Sequence, residues 1–303
     1  MQQHTAYEVI LIGGSYAGLA AAMTLGRALR NTLVIDAGRP CNRQTPYSHN
    51  FLTQDGVPPG AIAAQARAQV MAYSTVSWLE DEVTEAGGRD GAFRVATLSG
   101  RTFTAQKILF ATGIRDLMPD IPGFAASWGI SILHCPYCHG YEARGKETGI
   151  LMNGEAALEM AGLIRQWSRR LRLFTNGPAR LTEEQRALLS RHQIAVEERE
   201  LASFDEEKGH ISRVHFTDGT AQPLGVLYAR LPFVQSSPLP EMLGCALTPE
   251  GYIRVDEGRR TSVAGIYAAG DNTTGMRSVA SAAAAGHLAG AMINREMAAG
   301  DFL

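Results

Sequence analysis

The stretch "YEVILIGGSYAGLAAAMTLGRALRNTLVIDAG", from Tyr7 to Gly38, constrains the fold more than any other part of the chain. It opens on β-branched and leucine residues, turns through Gly13 to Gly18, continues rich in alanine, and returns to an apolar run ending at Asp36. That order predicts strand, tight turn, helix and strand, the nucleotide-binding unit of an α/β protein. Backbone N–H groups around Gly13, Gly14 and Gly18 can meet a pyrophosphate at the helix N-terminus, where aligned peptide dipoles favour negative charge. Asp36 is then placed to accept hydrogen bonds from a ribose. The middle glycine of the usual G-x-G-x-x-G is Ser15, which reduces the clearance. Taken alone, the turn also fits a glycine turn of some other α/β protein.

The 303 residues suffice for about two domains. "KILFATGIR" (107 to 115) is an apolar strand ending in Ala111, Thr112 and Gly113, and the proline-bearing "DLMPDIPGF" after it marks a boundary. A second α/β unit runs from "ETGILMNGEAALEMAGLIRQW" to "RRLRLFTNG", and alternating segments that read as strands follow. The strand "AGIYAAGD" leads to Gly270 and Asp271, then a polar loop and a long helix with a small-residue face after Met276. Two Rossmann-like three-layer α/β domains are expected, with 117–244 inserted into a first domain made of 1–116 and 245–303. A net charge of -2 gives no reason to expect nucleic acid, and the arginines of "RQWSRRLRL" (165 to 173) read as the solvated face of one helix. "MQQHTAYE" lacks the pattern of a secretory signal, and "GGSYAG" splits the uncharged run 9–26, so neither export nor a membrane span is expected and a cytoplasmic location is.

The second feature is "SILHCPYCHGYE" (131 to 142), with cysteines two residues apart and a histidine on each outer side. Four cysteines make no disulfide framework, and in a reducing compartment such a pair is more often catalytic or metal-binding than a staple. A closed zinc or iron-sulfur site needs further ligands, and Cys41 and Cys245 lack partner spacing. No metal is expected, and those two read as small buried hydrophobes. Electron exchange needs two sulfurs that can bond and separate, and Pro136 restricts the loop between Cys135 and Cys138.

The ordered set "GGSYAG", Asp36, "ATG" (111 to 113), "CPYCHG" and "YAAGD" resembles the low-molecular-weight thioredoxin reductase family over nearly the whole chain. The resemblance implies an FAD-binding domain made from both ends, a central domain carrying the redox cysteines, and a homodimer. Carried onto this sequence, it implies cofactor-binding roles for Gly13, Gly14, Ser15, Gly18, Asp36, Asn50, Thr112, Gly113, Gly270, Asp271, Ser278 and Val279. Cys135, Cys138, His139 and His134 are its candidate catalytic residues. His139 stands where familiar reductases carry an aspartate acid, and its ordinary pKa near 6.5 suits proton exchange near neutrality. His134 is a second proton station or a structural histidine.

One departure bears on function. NADPH-using members have a glycine turn in the second domain and a basic cluster after the next strand. Here the turn is Met152, Asn153, Gly154, Glu155, Ala156, Ala157, and the later position reads Thr175, Asn176, Gly177, so NADPH is not expected as a partner. With "CHG" and "SHNFLTQDG" (48 to 56), the chain is similar to the flavin-dependent dithiol oxidases of gliotoxin and holomycin biosynthesis. That implies oxidation of a small-molecule or peptide dithiol, with oxygen as acceptor and hydrogen peroxide as product. A disulfide reductase using NADPH or another donor, and a nonenzymatic flavin-binding redox sensor, are the alternatives.

Overall fold

A computed structural model of the chain describes residues 5–303. Residues 1–4, part of the N-terminal stretch read above as no secretory signal, lie outside them. The chain divides into two compact units, one formed by Met1–Arg43, Phe51–Arg115 and Phe233–Leu303, the other by Gln44–Asn50 and Asp116–Pro232. The inserted unit thus ends at Pro232 rather than at 244. The reason lies just after it: the Phe233 ring packs 4.6 Å from that of Tyr252, and Gln235 Nε2 donates to the carbonyls of Gly251 and Asn272.

In the first unit, strand Ala6–Ile12 lies between the parallel strands Thr32–Asp36 and Thr102–Phe110, with Val76–Glu80 outside Thr32–Asp36. Ile266–Ala268 pairs in parallel with the far half of Thr102–Phe110, and Ala92–Thr97 and Val83–Arg89 extend the sheet antiparallel. Helices Tyr16–Arg27 and Val279–Phe302 cross closely, because a Cβ on Gly286 would overlap the Ala17 carbonyl and one on Gly290 would stand 2.9 Å from that of Ala21. The alanine and glycine runs therefore do packing work. Leu25, Val34, Leu109 and Ile293 fill one face of the sheet, and Ile10, Leu33, Phe93 and Phe110 the other. Strand residue Lys107 is buried and ion-paired with Asp90 and with Glu296 of the last helix, which also receives Tyr267 Oη at 2.5 Å and Arg260 Nε at 3.0 Å.

The second unit has a parallel sheet in the order Ala195–Glu197, Leu171–Phe174, Thr148–Leu151, Val226–Ala229, Ile132–Leu133. It also holds an antiparallel sheet of Leu201–Glu207, His210–Phe216 and Ala221–Pro223. The arginines of 165–173 do not share one helix: the helix ends at Ile164, Arg169 and Arg170 lie in the turn after it, and Arg172 is on strand Leu171–Phe174. Alternating leucines, buried in the sheet core, decide for strand there. Among the described residues no helix is long and apolar enough to cross a membrane.

Candidate functional site

The redox loop starts where strand Ile132–Leu133 ends. Pro136 opens helix Pro136–Ala143, a position where its missing N–H is no loss. Cys135, in extended conformation, is the N-cap, and its Sγ accepts the Cys138 N–H at 3.1 Å. Cys135 and Cys138 are joined as a disulfide with Cα atoms 5.3 Å apart. One turn on, Gly140 lies under Trp167, where a Cβ would meet the indole at 2.8 Å. The Tyr137 ring, between the cysteines, stands edge-on to the same indole.

A helix N-terminus and a backbone N–H favour negative charge, so this geometry stabilises a thiolate on Cys135 once the disulfide opens. His139 follows directly and faces His49 from the segment 44–50, ring centroids 6.3 Å apart and planes at 88°. Glu142, on the same helix as His139, has a carboxylate oxygen 3.8 Å from His49 Nδ1. Burial, and then the neighbouring His49, push His139 down to about 4 against the pull of Glu142. The ordinary value near 6.5 expected from sequence therefore does not hold: His139 is neutral at physiological pH, able to accept a proton but a weak base. His134 is half-buried between Leu133 and Cys135. Sequence spacing gave His49 little prominence, because what brings it to His139 is tertiary contact.

At the carboxyl ends of strands Thr148–Leu151 and Leu171–Phe174, where a doubly wound sheet takes its dinucleotide, Asn153 laces the loops together. Its Nδ2 donates to the carbonyls of Thr175 (3.3 Å) and Pro178 (3.0 Å), and its Oδ1 accepts the N–H groups of Gly154 (2.9 Å) and Arg180 (2.8 Å). Thr175 Oγ1 donates to the Gly177 carbonyl, so it too is engaged within the loop. Glu155 caps the following helix without a side-chain bond, and Glu159 adds negative charge to its first turn.

The corresponding turn of the first unit is different. A Cβ on Gly13 would overlap the Ala111 carbonyl, and one on Gly18 would overlap that of Gly13. Gly14 lies under Trp78, and its N–H donates to Asp36 Oδ1 at 2.9 Å. Ser15 is the N-cap of helix Tyr16–Arg27 but makes no capping bond, and no acidic residue sits in the first turn. Thr112 Oγ1 is buried without a hydrogen-bond partner, an orphaned polar atom that a bound group can satisfy. Beside Asp36, Arg39, Arg67, Glu80 and Glu82 line a cleft of about 440 Å³, with the Arg67 guanidinium over the Trp78 ring. This glycine cradle, with an uncapped helix start and an unpartnered hydroxyl, fits a dinucleotide.

The remaining expected positions are spread more widely. Gly113 and Gly270 have positive φ. Asp271 lies 3.8 Å from Arg277 Nε and accepts from Cys41 Sγ at 3.5 Å. Ser278 caps the last helix by accepting the Ser281 N–H, and Val279 is its first residue. Asn50 belongs to the segment 44–50 of the second unit and has a φ of 59°. Cys245 is buried as expected, and burial pushes its thiol up, whereas Cys41 is exposed because it sits in a loop that no core cluster covers. Trp78 and Arg67 carried no motif and were not foreseen.

Residues 7–286 match the family model described as pyridine nucleotide-disulphide oxidoreductase. The chain is 33% identical to thioredoxin reductase tcpT of Claviceps purpurea (strain 20.1) over 96% of its own length and 94% of the relative's. The solved structure of an oxidoreductase from Agrobacterium tumefaciens aligns with TM-score 0.91 at 38% identity, covering 97% of this chain and 99% of the other. The structure of HlmI aligns with TM-score 0.92 at 32% identity, covering 100% and 96%.

Proposed function

This chain belongs to the pyridine nucleotide-disulphide oxidoreductase family and is a thiol–disulfide oxidoreductase, and within that class we propose an FAD-dependent dithiol oxidase. It forms a disulfide in a small-molecule or peptide substrate, with oxygen as final acceptor and hydrogen peroxide as product. The observation that carries this reading is Asn153, whose side chain ties the loops where a pyridine nucleotide would sit. In this reading the electrons come from the thiol substrate.

In the exchange, a substrate thiolate attacks Cys135 Sγ, the Cys135–Cys138 bond breaks, and Cys138 takes the electron pair. The second substrate thiolate then attacks its partner sulfur in the mixed disulfide, Cys135 leaves as thiolate, and the substrate disulfide departs. Its N-cap position makes Cys135 the better leaving group. FAD, when bound, supplies a two-electron acceptor for the enzyme dithiol and a route to oxygen. The N–H groups of Gly13 and Gly14 are taken by the Ile35 carbonyl and Asp36 Oδ1, so the start of helix Tyr16–Arg27 would hold its pyrophosphate, with Asp36 toward a ribose hydroxyl and Thr112 Oγ1 toward a further polar atom. A homodimer in the cytoplasm belongs to the same proposal.

A second reading, an NADPH-linked disulfide reductase, draws on relatives that carry the name thioredoxin reductase. Anaerobic titration of the flavin-loaded protein with NADPH, and separately with a small dithiol, distinguishes the two. Bleaching by the dithiol alone, followed by peroxide on admitting air, is the expected result. Rapid bleaching by NADPH would overturn it.

A further inference from the structure

Helix Pro136–Ala143 buries Pro136, Gly140 and Ala143 and turns two large aromatic rings to solvent: Tyr137, 57% exposed, and Tyr141, 66% exposed, one turn further on. We propose that Tyr137 is the specificity-determining residue of the disulfide exchange, a fixed aromatic ledge next to Cys138 that selects small dithiols carried on a flat, apolar ring. The inference rests on the dithiol-exchange reading given above.

Position comes first. Tyr137 directly precedes Cys138, whose side chain stands about 100° further round the helix. Both cysteines are only half-buried, so the body of a dithiol attacking there has the phenol ring as its neighbour. The ring is also held from behind. Gly140 has no Cβ, and the Trp167 indole takes that space, where a Cβ would stand 2.8 Å from it. The Trp167 backbone is pinned in turn, its N–H donating to the Ile164 carbonyl at 2.9 Å and its carbonyl accepting the Gly145 N–H at 3.1 Å. Tyr137 stands edge-on to that indole, centroids 5.9 Å apart and planes at 90°, a favoured geometry for two aromatic rings. A ring already fixed in place loses little conformational freedom when a second ring packs on it, so the contact converts efficiently into affinity.

The ledge is also short. Tyr141 lies about 6 Å further along the helix, and the Arg144 guanidinium already covers its ring, 4.0 Å from the centroid. Glu142, Arg144, Lys146 and Glu147, all exposed, crowd that end with charge of both signs. The free apolar surface is that of a single aromatic side chain, which suits a compact ring and not an extended peptide. Packing within the chain does not account for it, since Tyr137 takes part in neither hydrophobic cluster of the second unit.

Two dithiols that close disulfide rings of the same size, dithiothreitol and ortho-benzenedimethanethiol, separate the effect of the body from that of the thiols. Flavin-loaded enzyme is mixed anaerobically with each over a range of concentrations, and flavin bleaching gives a half-saturating concentration and a limiting rate. Wild type should half-saturate at lower concentration with the arene dithiol. Y137A should raise the half-saturating concentration about three- to tenfold more for the arene dithiol than for dithiothreitol, while the limiting rates for the two move together, and Y137F should restore the preference. No preference in wild type, or the same preference in Y137A, would overturn the proposal. So would a Y137A whose oligomeric mass by light scattering changes while the preference does not, which would make this face a contact between copies. If neither dithiol bleaches wild type, the exchange reading itself fails, and this inference with it.

Discussion

The backbone N–H of Cys138 points at the Sγ of Cys135 from 3.1 Å, at the first turn of the redox helix. The two sulfurs are therefore unequal. After reduction, the single thiol in C138S should react with iodoacetamide at pH 6 at least about tenfold faster than the single thiol in C135S. Equal rates would remove the N-cap account. C138S should also keep its flavin while losing flavin reduction by dithiol, read from absorbance in the same preparation.

His139 is neutral down to about pH 4, so its contribution to pH dependence lies below neutrality. Its folded value is depressed below the unfolded value near 6.5, so the unfolded chain binds the proton first, and stability falls as pH drops from about 6.5 toward 4. H139Q removes that loss. Urea unfolding at pH 7 and at pH 4.5 should show an acid penalty smaller by about 2 kcal/mol in the variant than in wild type, and the same penalty in both would count against the buried neutral ring.

N153A deletes the bonds that tie the 152–155 turn to the 175–180 loop. It should cost about 2 kcal/mol of stability. NADPH should still fail to bleach the flavin, because Met152 and the acidic first turn remain. Bleaching by NADPH in N153A would identify Asn153 as the sole obstacle.

Burial works against the Glu296 carboxylate, yet hydrogen bonds from Lys107, Tyr267 and Arg260 hold it at about 2. A depressed acid stabilises the fold above its unfolded value, near 4.3, and loses that contribution as pH falls toward 2. E296Q should flatten this window and lower the thermal midpoint at pH 7. Replacing Lys107 by alanine is harsher, about 3 kcal/mol, since it leaves Glu296 and Asp90 without their buried cation. Calorimetry from pH 3 to 7 measures both.

The first crossover was legible because its signals are local: an apolar run, glycines that cannot bear a Cβ, and an acid ending the next strand. The Cys-x-x-Cys loop was legible for the same reason. His49 and Asn153 stood in segments the sequence singled out, but their pairing with distant partners did not show there. His49 meets His139 across 90 positions, and Asn153 reaches Pro178 and Arg180 through side-chain bonds that leave no periodic trace. Environment also changed chemistry that residue type had suggested, since burial makes His139 a weaker base than a free histidine. The arginines of 165–173 misled because charge spacing alone does not distinguish a helix face from a turn leading into a strand.

The bond from Gly14 N–H to Asp36 Oδ1 joins residues 22 positions apart. It braces the glycine turn against the end of the second strand by contacts internal to the fold. The conformational entropy of shaping that turn is thus spent in folding and not at ligand encounter. Protein stripped of its flavin should refill without a slow ordering phase, and the lifetime of the loaded form should be governed by the rate of escape.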